Sequence, residues 1–286
     1  MTGSPNLKTK DRSPLLQTGR AAIMGILNVT PDSFSDGGLF LGVDEAVDHA
    51  ARMIDEGADI IDIGGESTRP GATPVNVDEE MRRVIPIIEG LVRRFDVAIS
   101  IDTSKAMVMD AAVNAGATMI NDVHALTEKD ALSIAAELNV PVCLMHMQGQ
   151  PGTMQLNPVY EDVTASIREY LSQRVTACIE AGLDIKNLIL DPGFGFGKSQ
   201  KQNFTLLNEL QSVRSHGLPI LAGLSRKSVI GQALGLAVDD RVSASIALAL
   251  LAVRNGANIV RVHDVKATTE AIRIMEVVEK VGKESS

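Results

Sequence analysis

Eight short apolar runs, each followed by a stretch with helical spacing, constrain this chain more than any other feature. The runs fall at residues 21–27, 59–63, 97–101, 118–120, 140–145, 187–190, 219–222 and 258–260. They are near-continuous rather than alternating, the pattern of strands covered on both faces. After the first run, Val43, Ala46, Val47, Ala50 and Ile54 recur at helical spacing. Further helices are expected over 78–94, 104–115 (with Ser104 as N-cap), 129–138, 159–181, 203–215 and 267–280, and helical sequence continues to 253 before the last run. Gly57-Ala58, Gly116-Ala117 and Gly256-Ala257 mark three helix-to-strand junctions with a natural helix-ending residue. Eight such units predict an α/β fold, a single-domain (β/α)8 TIM barrel over 19–282, rather than an open doubly wound sheet. Residues 1–18 read as a flexible N-terminal arm and 283–286 as a C-terminal tail.

Aromatic residues make up 3% of the chain and Trp is absent, so the core must come from Ile, Leu, Val, Ala and Met. A net charge of -9 argues against nucleic acid or an anionic membrane as a partner. No apolar run is long enough to span a bilayer, and residues 1–20 lack the apolar stretch of a secretory signal. Cys143 and Cys178 form no disulfide framework, so buried reduced thiols and a cytoplasmic location are expected.

The polar residues are unevenly placed. Strand C-terminal ends carry Asn28, the Glu66/Thr68/Arg69 group, Asp102, Asn121-Asp122, His146, Asp191, Lys227 and Arg261/His263. In a closed barrel these share one rim, where sites of this fold lie. Any one of them reads equally as a cap or turn former; their presence at nearly every rim position points to a pocket. Asp102, Asn121 and Asp191 suit the N–H and NH2 edge of a flat heterocycle such as a pterin or guanine, and Lys227 suits a carbonyl or ring nitrogen. Thr68, Arg69, Arg261 and His263 would gather as an anion site. The polar stretch 28–38 after the first run, with Phe34 and Asp36 in it, reads as a lid. The glycines of 193–198 match neither a Walker A loop nor a dinucleotide fingerprint, and read instead as backbone brought close to a flat ligand, with Phe196 beside it. No His/Cys cluster has metal-ligand spacing; Mg2+ carried by a phosphorylated substrate and touched by Asn28 is the more credible metal.

The motifs MGILNVTPDSFSDGG at 24–38, GGESTRPGA at 64–72, SIDT at 100–103, INDV at 120–123, LMHMQG at 144–149, PGTMQ at 151–155, LDPGFGFGK at 190–198, LSRKS at 224–228 and RVHDV at 261–265 occur in order. On these motifs, from about 21 to 281, the chain resembles the dihydropteroate synthases of bacterial folate synthesis. The resemblance implies that Asp102, Asn121, Asp191, Lys227, Met145 and Phe196 hold a pterin. It implies that Thr68, Arg69, Arg261, His263 and Asn28 hold diphosphate, Asn28 through Mg2+. Phe34, Pro70, Ser225 and Lys227 would form the 4-aminobenzoate pocket, the site sulfonamides contest, with Asp36, Arg69, Lys227 and Phe34 as catalytic residues. C-terminal helices would form a homodimer. The rival readings are a pterin-binding methyltransferase of related barrel type, a two-carboxylate glycosidase and a non-catalytic pterin-binding module.

Overall fold

The computed structural model describes residues 20–29, 38–67, 73–149, 154 and 158–284. Among them, eight strands alternate with helices: β1 Ala22–Asn28, β2 Ile60–Gly64, β3 Ala98–Asp102, β4 Met119–Asp122, β5 Val142–Met145, β6 Leu188–Asp191, β7 Leu221–Ala222 and β8 Ile259–Val262. The helices are α1 Gly38–Asp55, α2 Val77–Arg94, α3 Ala106–Asn114, α4 Ala131–Leu138, α5 Val163–Glu180, α6 Gln200–Asn208, α7 Leu210–Val213, α8 Ser228–Leu234, α9 Val242–Arg254 and α10 Val265–Glu284. All strand pairs are parallel, in the order β6-β5-β4-β3-β2-β1-β8-β7. A Leu190–Ile220 bridge joins the two ends, so the sheet closes on itself as the (β/α)8 barrel expected.

Four helices end in the same way. Gly57, Gly116, Gly182 and Gly256 all have φ between 101° and 114°. At each, the glycine N–H and the next N–H fold back on the last turn, as in Gly57 to Ile54 (3.0 Å) and Ala58 to Met53 (2.9 Å). This Schellman arrangement needs a residue that tolerates positive φ, so each glycine stops its helix and turns the chain into the following strand.

Strand alternation divides the apolar residues into two sets. Ala22, Met24, Ile60, Ala98, Met119, Cys143, Ile189, Leu221 and Ile259 fill the barrel interior. Ile61, Ile63, Ile99, Ile101, Leu188 and Leu190 point outward against helix residues such as Ile87, Leu91, Ile167 and Leu171. Each fully buried Ile or Leu contributes roughly 1.5–3 kcal/mol of transfer free energy, so the helices are fastened mainly by this outer layer. Moving along each strand toward its C-terminal end, the inward positions become polar: Asp62, Ser100, Asp102, Asn121, Asp191 and Arg261.

Local details depart from expectation. Ser104 is not an N-cap: α3 is capped by Lys105 without a side-chain bond, and Ser104 Oγ donates instead to Asp122 Oδ1. A hydroxyl donated to a carboxylate makes a charge-assisted bond, stronger than the neutral cap bond it replaces. The stretch read as one helix over 203–215 begins earlier, at a Ser199–Gln202 capping box, and is split at Glu209 into α6 and α7. The helix placed at 159–181 starts at Val163 behind its cap Asp162. The last helix reaches Glu284, into residues read as a tail. The arm 1–18 lies outside the described residues.

Candidate active site

The C-terminal rim gathers the polar strand ends into one connected set. β3 and β4 are in register at Asp102–Asn121, β5 and β6 at Met145–Asp191, and β1 and β2 at Asn28–Gly64. Parallel pairing thus puts Asp102 and Asn121 side by side, and Met145 beside Asp191. Met145, Asn121 and Asp191 are buried, Asp102, Lys227, Phe196 and Arg261 half-buried, and Asn28 exposed. Gly64 leaves room between its neighbours: a Cβ there would lie 3.6 Å from Asp102 Cβ and 3.8 Å from Asn28 Oδ1.

Arg261, inward on β8, reaches across the barrel mouth. Its Nε donates to Asp62 Oδ2 at 2.5 Å and its Nη2 to Asp102 Oδ2 at 2.7 Å. Asn121 Nδ2 donates to the same Asp62 oxygen at 3.1 Å. The guanidinium assigned to diphosphate by resemblance is therefore seated on the acids of the flat-ring side. Burial pushes the Asp102 carboxyl up to about 7; Arg261 opposes the rise, and the neighbouring charge of Asp62 adds to it. Burial also raises Asp191, against the pull of Lys227. Arg261 is raised further above its already high value, the two carboxylates outweighing its burial.

Lys227 belongs to the turn after β7. Its ammonium donates to the Phe194 carbonyl and lies 4.6 Å from the centroid of the Phe196 ring. Burial lowers it to about 8, opposed by Asp191. A Cβ on Gly223 would stand 3.7 Å from Lys227 Nζ and 3.9 Å from Arg261 Cβ, in ordinary contact with both. Ser225 Oγ receives His263 N–H at 3.2 Å and lies 3.0 Å from His263 Nδ1, tying the turn after β7 to the end of β8.

The loop after β6 is built around a second lysine. Lys198 is 2% exposed; its Nζ donates to Gly193 O at 2.8 Å and Phe196 O at 2.9 Å, and lies 3.1 Å from His146 Nδ1. Burial lowers Lys198 to about 7 and His146 to about 3, the latter also repelled by Lys198. Gly193 donates its N–H to Asp191 Oδ1 at 2.7 Å, which orients that acid from its own loop. Gly193 sits at φ 68°, and a Cβ there would be 1.9 Å from His146 O, so no other residue fits.

Asp102, Asn121, Asp191, Lys227, Met145, Phe196, Arg261, His263, Ser225 and Asn28 therefore share one rim. Thr68, Arg69, Pro70, Phe34 and Asp36 lie outside the described residues. The adjacent root of the second loop is described: Lys105 Nζ pairs with Glu66 and, at 2.5 Å, with the buried Glu80, and Glu66 Oε1 accepts from Val75 N at 3.2 Å. Asp122, named with Asn121 as a rim group, faces away from the ligand side: its oxygens accept His124 N at 2.9 Å and Leu126 N at 2.7 Å, which makes it a turn former. Sequence reasoning misses two residues. Asp62 lies inside the run at 59–63 rather than at its end; an acid amid Ile60, Ile61 and Ile63 is its only signal. Lys198, the final residue of the glycine-rich motif, is legible as a cation but not as the plug of its own loop.

No group of three or more His, Cys, Asp or Glu side chains among the described residues is placed to hold a metal. Asn28 offers one neutral oxygen at the rim, which suits an ion held chiefly by the oxygens of a bound diphosphate and not an ion held by protein alone.

The chain matches the family model described as pterin binding enzyme over residues 24–263. It is 53% identical to the dihydropteroate synthase of Escherichia coli (strain K12), covering 89% of this chain and 90% of that one. Among solved structures, Xanthomonas albilineans dihydropteroate synthase with 4-aminobenzoic acid superposes with a TM-score of 0.86 at 52% identity, covering 91% and 94% of the two chains. The same organism's enzyme in complex with 7,8-dihydropteroate gives 0.83 at 48% identity, again covering 91% and 94%. With a family model matched over residues 24–263 and relatives this similar along nearly its whole length, the chain, whose rim gathers two acids, an amide and a lysine, belongs to the pterin binding enzymes, within their dihydropteroate synthase family.

Proposed function

We propose that this chain condenses (7,8-dihydropterin-6-yl)methyl diphosphate with 4-aminobenzoate, giving 7,8-dihydropteroate and diphosphate. The observation that carries the reading is the adjacency of Asp102, Asn121, Asp191 and Lys227 on one rim. The acids and the Asn121 carbonyl accept from the N–H and NH2 groups of a pterin, and Lys227 donates to its carbonyl or ring nitrogen. Met145 and Phe196 pack on the ring. Arg261 and His263, with Thr68, Arg69 and Asn28, take the diphosphate. Ser225, Lys227, Phe34 and Pro70 take 4-aminobenzoate, where a sulfonamide would compete.

The reaction is an SN1-like displacement. The C–O bond to diphosphate breaks with its electron pair going to the leaving oxygen, and the reduced pterin delocalises the positive charge left on the methylene. The aryl amine nitrogen then forms the new C–N bond and releases a proton. Arg69, Arg261 and His263 stabilise the departing anion, and a rim shielded from water preserves the cation. Lys227 holds the ring and the glycine-rich loop together through the Phe194 carbonyl. Asp36 is assigned to turnover, free to pair with Arg69 or to orient the second loop. Mg2+, when bound with the diphosphate and touched by Asn28, would neutralise part of the charge that develops on the leaving group.

The same reading includes a homodimer, supported by the exposed apolar residues Ile274, Val277 and Val278 on α10. It includes a cytoplasmic location, supported by the unbonded, buried Cys143 and Cys178 and by the absence, among the described residues, of any helix long and apolar enough to cross a membrane.

The test is diphosphate release that depends on 4-aminobenzoate, measured beside Asp191→Ala. Sustained release by the unaltered chain only when the amine is present, and loss of pterin binding in the variant, are expected. Sustained multiple-turnover release without the amine, beyond the single burst that an SN1-like step allows, or turnover of a methylated folate instead, would overturn the reading.

A further inference from the structure

The most unusual group on the rim is one the site residues do not include. Asp62 is fully buried at 0% exposure, inside the barrel, on the strand between Asn28's and Asp102's. Both its neighbours on the ligand side depend on one of its oxygens: Asn121 Nδ2 donates to Oδ2 at 3.1 Å and Arg261 Nε at 2.5 Å. Its other oxygen, Oδ1, is buried with no hydrogen-bond partner among the described residues, and so is Ser100 Oγ, its register partner on β3. A buried carboxylate left half-satisfied costs stability, and a purely structural acid would be expected to have both oxygens occupied.

The chemistry of the pairing is directional. A carboxylate only accepts, whereas an asparagine amide has a donor end and an acceptor end. With Asp62 beneath it, Asn121 must turn its NH2 down and leave its carbonyl oxygen as the acceptor for whatever lies above. The same oxygen holds Arg261 by Nε, the stem side of the guanidinium, while Nη2 extends to Asp102 at the more open rim. We infer that Asp62 is a positioning residue that sets the hydrogen-bond polarity of the flat-ring site: it fixes Asn121 as an acceptor toward the ligand's donor edge. It also retains Arg261 when Asp102 exchanges the guanidinium for that edge. The inference rests on the pterin reading of the rim.

Asp62→Asn is nearly isosteric and removes the directional rule, because the introduced amide can offer either end to Asn121. Binding is measured by calorimetry with (7,8-dihydropterin-6-yl)methyl diphosphate, and turnover with 4-aminobenzoate, with thermal melts to establish folding. The variant is expected to bind the pterin at least about ten-fold more weakly, the consequence of losing one or more buried hydrogen bonds. Its KM for 4-aminobenzoate should stay within about two-fold, since Asp62 touches only the ring side. The exchanged pair Asp62→Asn with Asn121→Asp restores one amide below one acceptor, and is expected to recover pterin affinity to within about five-fold of the unaltered chain. Should Asp62→Asn not fold, the exchanged pair alone decides: near-normal affinity supports the inference, and loss beyond about ten-fold overturns it. Unchanged pterin affinity in Asp62→Asn, or a loss that the exchanged pair does not recover, overturns it as well. If the unaltered chain binds pterin but forms no product, the function reading fails while binding still judges Asp62. If it binds no pterin, both fall.

Discussion

Asp102 shows how burial and a cationic neighbour compete at a single residue. Its carboxyl is pushed up to about 7 by burial, with Arg261 resisting and Asp62 assisting. In the proposed reading the ring needs Asp102 as an acceptor, so protonation removes a bond. Pterin affinity should fall as pH drops below about 7, by up to about ten-fold per unit, and Asp102→Asn should flatten this acid limb at a weaker level. Calorimetry from about pH 8.5 to about pH 5.5 reads this directly; a profile as steep in the variant contradicts it. His146 acts on stability instead. Its value of about 3 lies below the ordinary 6.5, so the unfolded chain binds a proton between these limits that the folded chain does not. Its stabilisation is complete above about pH 6.5 and is lost toward pH 3. His146→Gln should lessen the fall in melting temperature over that window, and an unchanged slope would remove His146 from the account. Asp102, Asn121 and Asp191 are legible in the sequence because each ends an apolar run, where a polar group has no packing reason to be. Asp62 is not, because its position looks like core and only alternation within the barrel turns it inward.

At the scale of an element, the loop 193–198 is the clearest case of sequence chemistry making a site. Its backbone is drawn around the Lys198 ammonium, it orients Asp191 through Gly193 N–H, and it offers the Phe194 carbonyl to Lys227. Gly193→Ala must displace the His146 carbonyl, 1.9 Å from the added Cβ, and adopt φ 68°. It is expected to cost several kcal/mol and to abolish pterin binding; a soluble variant that binds normally would show that the loop does not position Asp191. Lys198→Met removes the plug at similar volume and should weaken the pterin more than 4-aminobenzoate, read as separate KM values. The spacing of these glycines sets them apart from nucleotide-binding motifs. The sequence reads them as clearance for a flat ligand; the structure gives Gly193 a different close neighbour, the His146 carbonyl just beyond β5, far away along the chain. Helix positions are legible from apolar spacing, and several ends from their glycines, while starts are decided by side-chain partners: Ser104 is drawn to Asp122, and Ser199 with Gln202 starts α6 earlier than apolar spacing alone indicates.

At the scale of the molecule, eight repeated units and four identical helix endings account for the closed barrel, and closure is what turns scattered strand ends into one rim. That much follows from the sequence, since the apolar runs, the recurring Gly-Ala junctions and the lopsided polar residues agree with one another. The proposed homodimer rests on α10, whose Ile274, Val277 and Val278 are 57–65% exposed. Sedimentation should find a dimer, and Val278→Glu should shift it toward monomer without altering pterin affinity; a monomeric unaltered chain contradicts the assembly. The central claim is chemical, and one measurement addresses it most directly. The purified chain is mixed with (7,8-dihydropterin-6-yl)methyl diphosphate, with and without 4-aminobenzoate, and the products are followed by mass spectrometry. Over many turnovers the account predicts 7,8-dihydropteroate and diphosphate in equal amounts, with continued formation only when the amine is present. Diphosphate released without the coupled product beyond one equivalent per chain, or no product from a chain that binds both substrates, would contradict it.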